Sequence, residues 1–156
     1  AMPGSSLIFA PHSNSYDRFV EGAHAPTSAA WGYENRTVAL RIPGGPNEAR
    51  RIEHRTAGGD INPYLLLSAV LGSILIGVED AMTPSAPVVG NAYDVDRPGL
   101  APDWASAIDA FEQDPFMARV FHPQLFDNLL RTKRQELAKM ADVPKDQQWK
   151  AMLERV

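Results

Sequence analysis

The 156-residue chain predicts an α+β fold: a small antiparallel sheet from the first sixty residues, backed by a buried helix and several C-terminal helices. Three observations predict it. Residues 37–42 alternate with period two, with Val38, Leu40 and Ile42 on one side and Thr37, Ala39 and Arg41 on the other. Residues 64–78 are almost wholly apolar. After residue 103, apolar side chains recur at helical spacing.

Taken in order, residues 1–15 are rich in Pro, Gly, Ser and Asn and read as irregular. Asn14, Ser15 and Asp17 are each able to cap one or two helical turns that include Arg18 and Phe19. Residues 21–28, with Gly22 and Pro26, read as a loop. The strand over 37–42 is followed by PGGPNEA, which suits a hairpin or a longer excursion. A second extended run covers 51–55, with Arg51, Glu53 and Arg55 on one face and Ile52 on the other.

Asn62 and Pro63 form a helix start, an N-cap followed by proline at the first helical position. The apolar run behind them would span about 22 Å as helix, short of the ~30 Å bilayer core, and is read as a buried helix. A helix apolar on every side needs cover on every side, and a chain of this length struggles to supply it. Residues 83–102 hold four prolines and two glycines without hydrophobic period and read as a surface loop. Asp103 caps a helix carrying Trp104, Ile108 and Phe111 on one face, and Asp114-Pro115 restarts the chain as a short helix. Pro123 opens a longer one with Leu125, Leu129, Leu130 and Leu137 inward and Arg131, Lys133, Arg134 and Lys139 wet. Val143-Pro144 breaks it, and 145–156 is a final amphipathic segment with Trp149, Met152 and Leu153.

A net charge of −4 argues against general nucleic-acid binding. The N-terminus lacks a secretory pattern, and Ala1 ahead of Met2 reads as a residue left by cloning. With no cysteine, disulfide and thiolate chemistry are excluded, and a cytoplasmic location without membrane attachment is the simplest expectation. His12, His54 and His122 stand apart from carboxylates at metal-ligand spacing and read as structural or solvated.

Chemistry concentrates in residues 31–55. A cation, a carboxylate and a cation alternate along one strand face. One reading is a solvated edge strand with a salt-bridge ladder. The other is a floor for a phosphate, a divalent metal and a carboxylate substrate. Spacing alone leaves both open.

The ordered fragments SNSYDRFVEGAHAP, NRTVALRIP, ARRIEHR and NPYL resemble the C-terminal part of the catalytic domain of the glutamine synthetase family, most strongly over residues 9–79. The resemblance implies strands that belong to a barrel-like sheet, and a ligase joining glutamate to an amine with ATP through γ-glutamyl phosphate. It implies that Arg36 and Arg41 lie against the nucleotide phosphates and the transferred phosphoryl group, with Arg51 on the ATP side. It makes Glu53 a ligand of Mg²⁺ or Mn²⁺ and gives Arg18 and Arg55 the substrate glutamate. Such a reaction brings anionic groups together, which guanidinium forks and divalent cations neutralise.

One position departs from the pattern. The family flap reads PGYEAP where this chain has EGAHAP, so His24 stands in place of the glutamate that helps form the ammonium pocket. A neutral imidazole holds no cation by charge. That favours a primary amine larger than ammonia, as in the γ-glutamyl-amine synthetases. The family's remaining metal ligands and its N-terminal domain have no counterpart in this sequence. The expectation is therefore an inactive fragment of a homo-oligomeric ligase, which dimerises through open strand edges. The alternatives are a non-catalytic binding or oligomerisation module of the same descent and an anion- or nucleotide-binding protein without chemistry.

Overall fold

The computed structural model describes residues 1–23 and 25–153. A short helix α1 (Ser6–Phe9) and a 3₁₀ turn (Ser13–Arg18) precede three strands, β1 (Trp31–Tyr33), β2 (Leu40–Ile42) and β3 (Glu53–His54). Five helices follow: α2 (Pro63–Glu79), α3 (Trp104–Gln113), α4 (Pro115–Val120), α5 (Pro123–Met140) and α6 (Gln148–Met152). The α+β class is as expected, and the helix starts at Asn62, Asp103, Asp114 and Pro123 fall where the capping residues put them. Asn62 accepts N–H bonds from Tyr64 and Leu65, Asp103 from Ser106, and Asp114 from Phe116 and Met117.

The sheet is mixed, not wholly antiparallel. β2 pairs antiparallel with β3 but parallel with β1, a strand without alternation of its own because Gly32 occupies its centre. Residues 34–39 turn the chain back between β1 and β2. Asn35 staples that turn: its Oδ1 accepts from Thr37 N and Oγ1, and its Nδ2 donates to Val88 and Gly90 carbonyls. The proline-rich segment is thereby docked. Val88 and Ala92 close a small core with Ala30 and Val38, and Trp31 Nε1 reaches the Ser85 carbonyl.

The main core lies among α1, α3, α4 and α5, around Leu7, Ile8, Trp104, Ile108, Phe111 and Met117. Phe111 sits between the Phe121 and Phe126 rings at 5.8 and 4.6 Å. Gly72 of α2 meets α4 so closely that a Cβ there would lie 2.8 Å from Val120.

Several expectations are corrected. α2 is not a buried helix: only Ala69 and Ile76 are buried, whereas Tyr64, Leu67, Leu71, Ile74, Leu75 and Val78 are exposed. Its one covered side faces α1 and α4. On α5, Leu125 is exposed, and Lys133 is largely withdrawn from water, paired with Glu136 at 2.8 Å and lying over the Trp104 ring. The first 3₁₀ turn is capped from His12, with Ser15 Oγ accepting the His12 N–H, instead of from Asn14, Ser15 or Asp17 at its head. Residues 154–156 of the final amphipathic segment lie outside the described residues. Before them, Met152 is buried while Trp149 and Leu153 are exposed.

Candidate active site

Register determines which side chains meet. Arg41 stands opposite Glu53, and Leu40 opposite His54. Strand alternation therefore gives the sheet a charged face and an apolar face. On the charged face Glu53 is forked between two guanidiniums. Its Oε1 accepts from Arg55 Nη1 at 2.6 Å and its Oε2 from Arg41 Nη1 at 3.1 Å. Those bonds, Arg55 first and then the charge of Arg41, hold the Glu53 carboxyl below its usual range.

The cluster continues on both sides. Arg55 Nη2 donates to the Arg36 carbonyl at 2.9 Å, and Arg41 Nη2 to Glu34 Oε2 at 3.3 Å. Arg18 reaches the Arg55 carbonyl at 3.5 Å, with its guanidinium 4.4 Å from the Phe19 ring centroid. Burial lowers the Arg18 pKa, an effect partly offset by Asp60, which also accepts a hydrogen bond from Ser15. Arg18, Glu53, His54 and Arg55 line one concavity of about 390 Å³. Arg36 lines a neighbouring cleft of about 290 Å³ with Tyr33, Glu34 and residues 87–90. Arg51 lies apart, exposed, donating to the Ala49 carbonyl. His24 is outside the described residues.

On the opposite face His54 packs 4.3 Å from the Phe9 ring, where burial depresses its pKa to about 4. With Leu40, Ile52, Val70 and Ile74 it lines an apolar cavity of about 460 Å³ between the sheet and α2. Of the other histidines, His12 is buried at its cap and His122 caps α5 through Nδ1.

These residues fit an anion. Nε and Nη2 of Arg18 and Nε of Arg41 are buried with no acceptor among the described residues. A divalent cation does not fit them alone. Both Glu53 oxygens are committed to arginines, and no group of three or more His, Asp or Glu able to hold a metal occurs among the described residues. Pattern reading passed over Glu34 and Asp60, the acidic neighbours of Arg41 and Arg18. The glutamate just before the NRT triplet was the available signal for the first.

The sequence profile of the family described as "Glutamine synthetase, catalytic domain" matches residues 1–152. The chain belongs to this family. Among curated members it is 37% identical over 141 residues to the γ-glutamylputrescine synthetase PuuA of Escherichia coli, covering 85% of this chain and 30% of that protein. It is 37% identical over 132 residues to the γ-glutamylethanolamide synthetase GlnA4 of Streptomyces coelicolor (85% and 28%). It is also 39% identical over 124 residues to a glutamate–isopropylamine ligase of a Pseudomonas species (78% and 27%). The chain thus spans less than a third of the length of these curated relatives. A solved glutamine synthetase-family structure, apo GmaS without ligand, superposes with a TM-score of 0.78 at 27% identity, over 97% of this chain and 35% of that one. Among the described residues no helix is long and apolar enough to cross a membrane.

Proposed function

We propose that the chain is the C-terminal part of the catalytic domain of an ATP-dependent glutamate–amine ligase that works through γ-glutamyl phosphate. The observation that carries this reading is the ion-paired run Arg41–Glu53–Arg55, with Arg18 beside it, around one concavity. In this reading ATP supplies the phosphoryl group that activates the glutamate side chain. Arg36 and Arg41 neutralise the phosphates, and Arg51 adds charge on the nucleotide side. Arg18 and Arg55 hold the glutamate carboxylate in bidentate fashion, and their partly buried setting strengthens that hold. Glu53 orients Arg41 and Arg55. Mg²⁺ or Mn²⁺ binding would require further carboxylates beside Glu53, whose oxygens are both held by arginines.

The acceptor in this proposal is a primary amine larger than ammonia. Support comes from His24 in the flap position of a glutamate and from relatives named for putrescine, ethanolamide and isopropylamine products or substrates. The chain alone is proposed to lack ligase activity and to need the remainder of its domain, including cover for the exposed side of α2. Homo-oligomers are proposed for the complete protein, with self-association of the chain along β3, an edge strand beside exposed Ile52.

The test is amine-dependent phosphate release by the complete protein, comparing ammonium, ethanolamine and putrescine in the presence of glutamate and ATP. The larger amines are expected to win, and release with ammonium alone would overturn the acceptor assignment. A second reading, nucleotide binding without chemistry, is favoured by the commitment of both Glu53 oxygens to arginines. ATP binding by this chain that is independent of Mg²⁺, with no phosphate release by the complete protein, would select it.

A further inference from the structure

Glu34 has no role in the pattern set out above, yet its setting is unusual. Its backbone is left-handed, φ 50°, a conformation that costs a non-glycine residue on the order of 1 kcal/mol. From there its carboxylate spans two partners. Oε1 accepts the Gly44 N–H and Oε2 accepts Arg41 Nη2 at 3.3 Å. A methyl on Gly44 would lie 3.3 Å from Oε1, so the small residue permits the approach.

The Arg41 guanidinium is consequently held at both terminal nitrogens by different carboxylates, Nη2 by Glu34 and Nη1 by Glu53. A single contact leaves an arginine free to turn about its long stem; two contacts on separate chain segments fix the plane of the fork. The Glu34 side chain is 59% exposed, and an exposed pair contributes little to fold stability. Its effect is on geometry. The Gly44 N–H, and after it Arg41, keep the Glu34 carboxyl below its usual range.

We propose that Glu34 is a positioning residue for Arg41: with Glu53 it fixes the guanidinium plane offered to the phosphates of a nucleotide and so sets nucleotide affinity. This rests on the ligase reading above. The test uses the complete protein carrying Glu34→Gln, Gly44→Ala or, as a control, Glu112→Gln, which removes the exposed pair with Arg134. ATP binding without turnover, KM for ATP against kcat, and the unfolding midpoint are measured for each.

Glu34→Gln is expected to weaken ATP binding and raise KM for ATP roughly fivefold, with kcat within about twofold and an unfolding midpoint like that of the control. Gly44→Ala is expected to move KM in the same direction by less. Binding and KM within about twofold of wild type would overturn the proposal. So would kcat, KM and the midpoint all worsening together, the mark of a purely structural role. Wild type that binds ATP but releases phosphate with no amine defeats the ligase reading, while the binding comparison still decides Glu34. Wild type that binds no ATP overturns both.

Discussion

Helices α2 and α3 are both rich in apolar residues, yet they are solvated in opposite ways. α3 carries its large side chains as a stripe, and Trp104, Ala107, Ile108 and Phe111 are all buried while the other side is wet. α2 is apolar around its whole circumference, and the described residues cover only the line through Ala69 and Ile76. The difference teaches that composition says how much cover a helix needs, while the amount it receives depends on how much protein surrounds it.

The strongest way to break this comparison is in α3. Phe111→Ala is expected to cost about 3–5 kcal/mol in denaturant unfolding, because the ring is fully buried between two others. A loss under about 1 kcal/mol would mean that the α3 stripe is not the centre of stability.

Next comes His54, in the cavity between α2 and the sheet. Its folded pKa of about 4 lies below the ordinary 6.5, so between those values the unfolded chain binds a proton that the folded chain refuses. Stability therefore falls as pH drops from about 6.5 toward 4, on the order of 2–3 kcal/mol in all. Arg18, Glu53, Arg55 and Asp17 line the adjoining concavity, and burial is what lowers the His54 pKa. His54→Phe should flatten that part of the urea-midpoint profile. An unchanged slope would assign it to other groups.

Asn62→Ala should cost about 1 kcal/mol, through loss of the two N–H bonds that start α2. The smallest effect sharpens the contrast most. Leu71→Gln, at a position 60% exposed, should change the stability of this chain by no more than about 0.5 kcal/mol. In the complete protein the same change should cost about 1–3 kcal/mol if the α2 surface is covered there. Equal effects in the two settings would count against the missing-cover proposal.

The helices were legible because their signals are local. Asn62-Pro63, Asp103 and Asp114-Pro115 announce helix starts that need no tertiary information. Alternation over 37–42 pointed to a strand of which only Leu40–Ile42 forms, residues 37–39 being bends that carry Val38 into the small core, while the opposed settings of Ile52 and Glu53 were legible. β1 was not, because Gly32 leaves its centre without a side chain to alternate and its parallel partner β2 is reached only through a turn tied to the distant 88–90 segment. At the site, sequence order and spacing named Arg18, Arg41, Glu53 and Arg55, which the fold gathers. They did not show that Arg51 lies apart, nor that Glu34 closes on Arg41. The first depends on how residues 43–52 loop out between β2 and β3, the second on the left-handed turn at Glu34, and neither conformation has a periodic signature.

The return from β1 to β2 takes only residues 34–39, with Asn35 tying its start to the chain fifty residues onward. Such a short link has no slack. Val38 and Ala39 within it are fully buried, and an insertion or deletion of one residue would slide Arg41 out of step with Gly32, its partner in β1. Both the length of this segment and its anchors, Asn35 and Val38, hold β1 in register with β2.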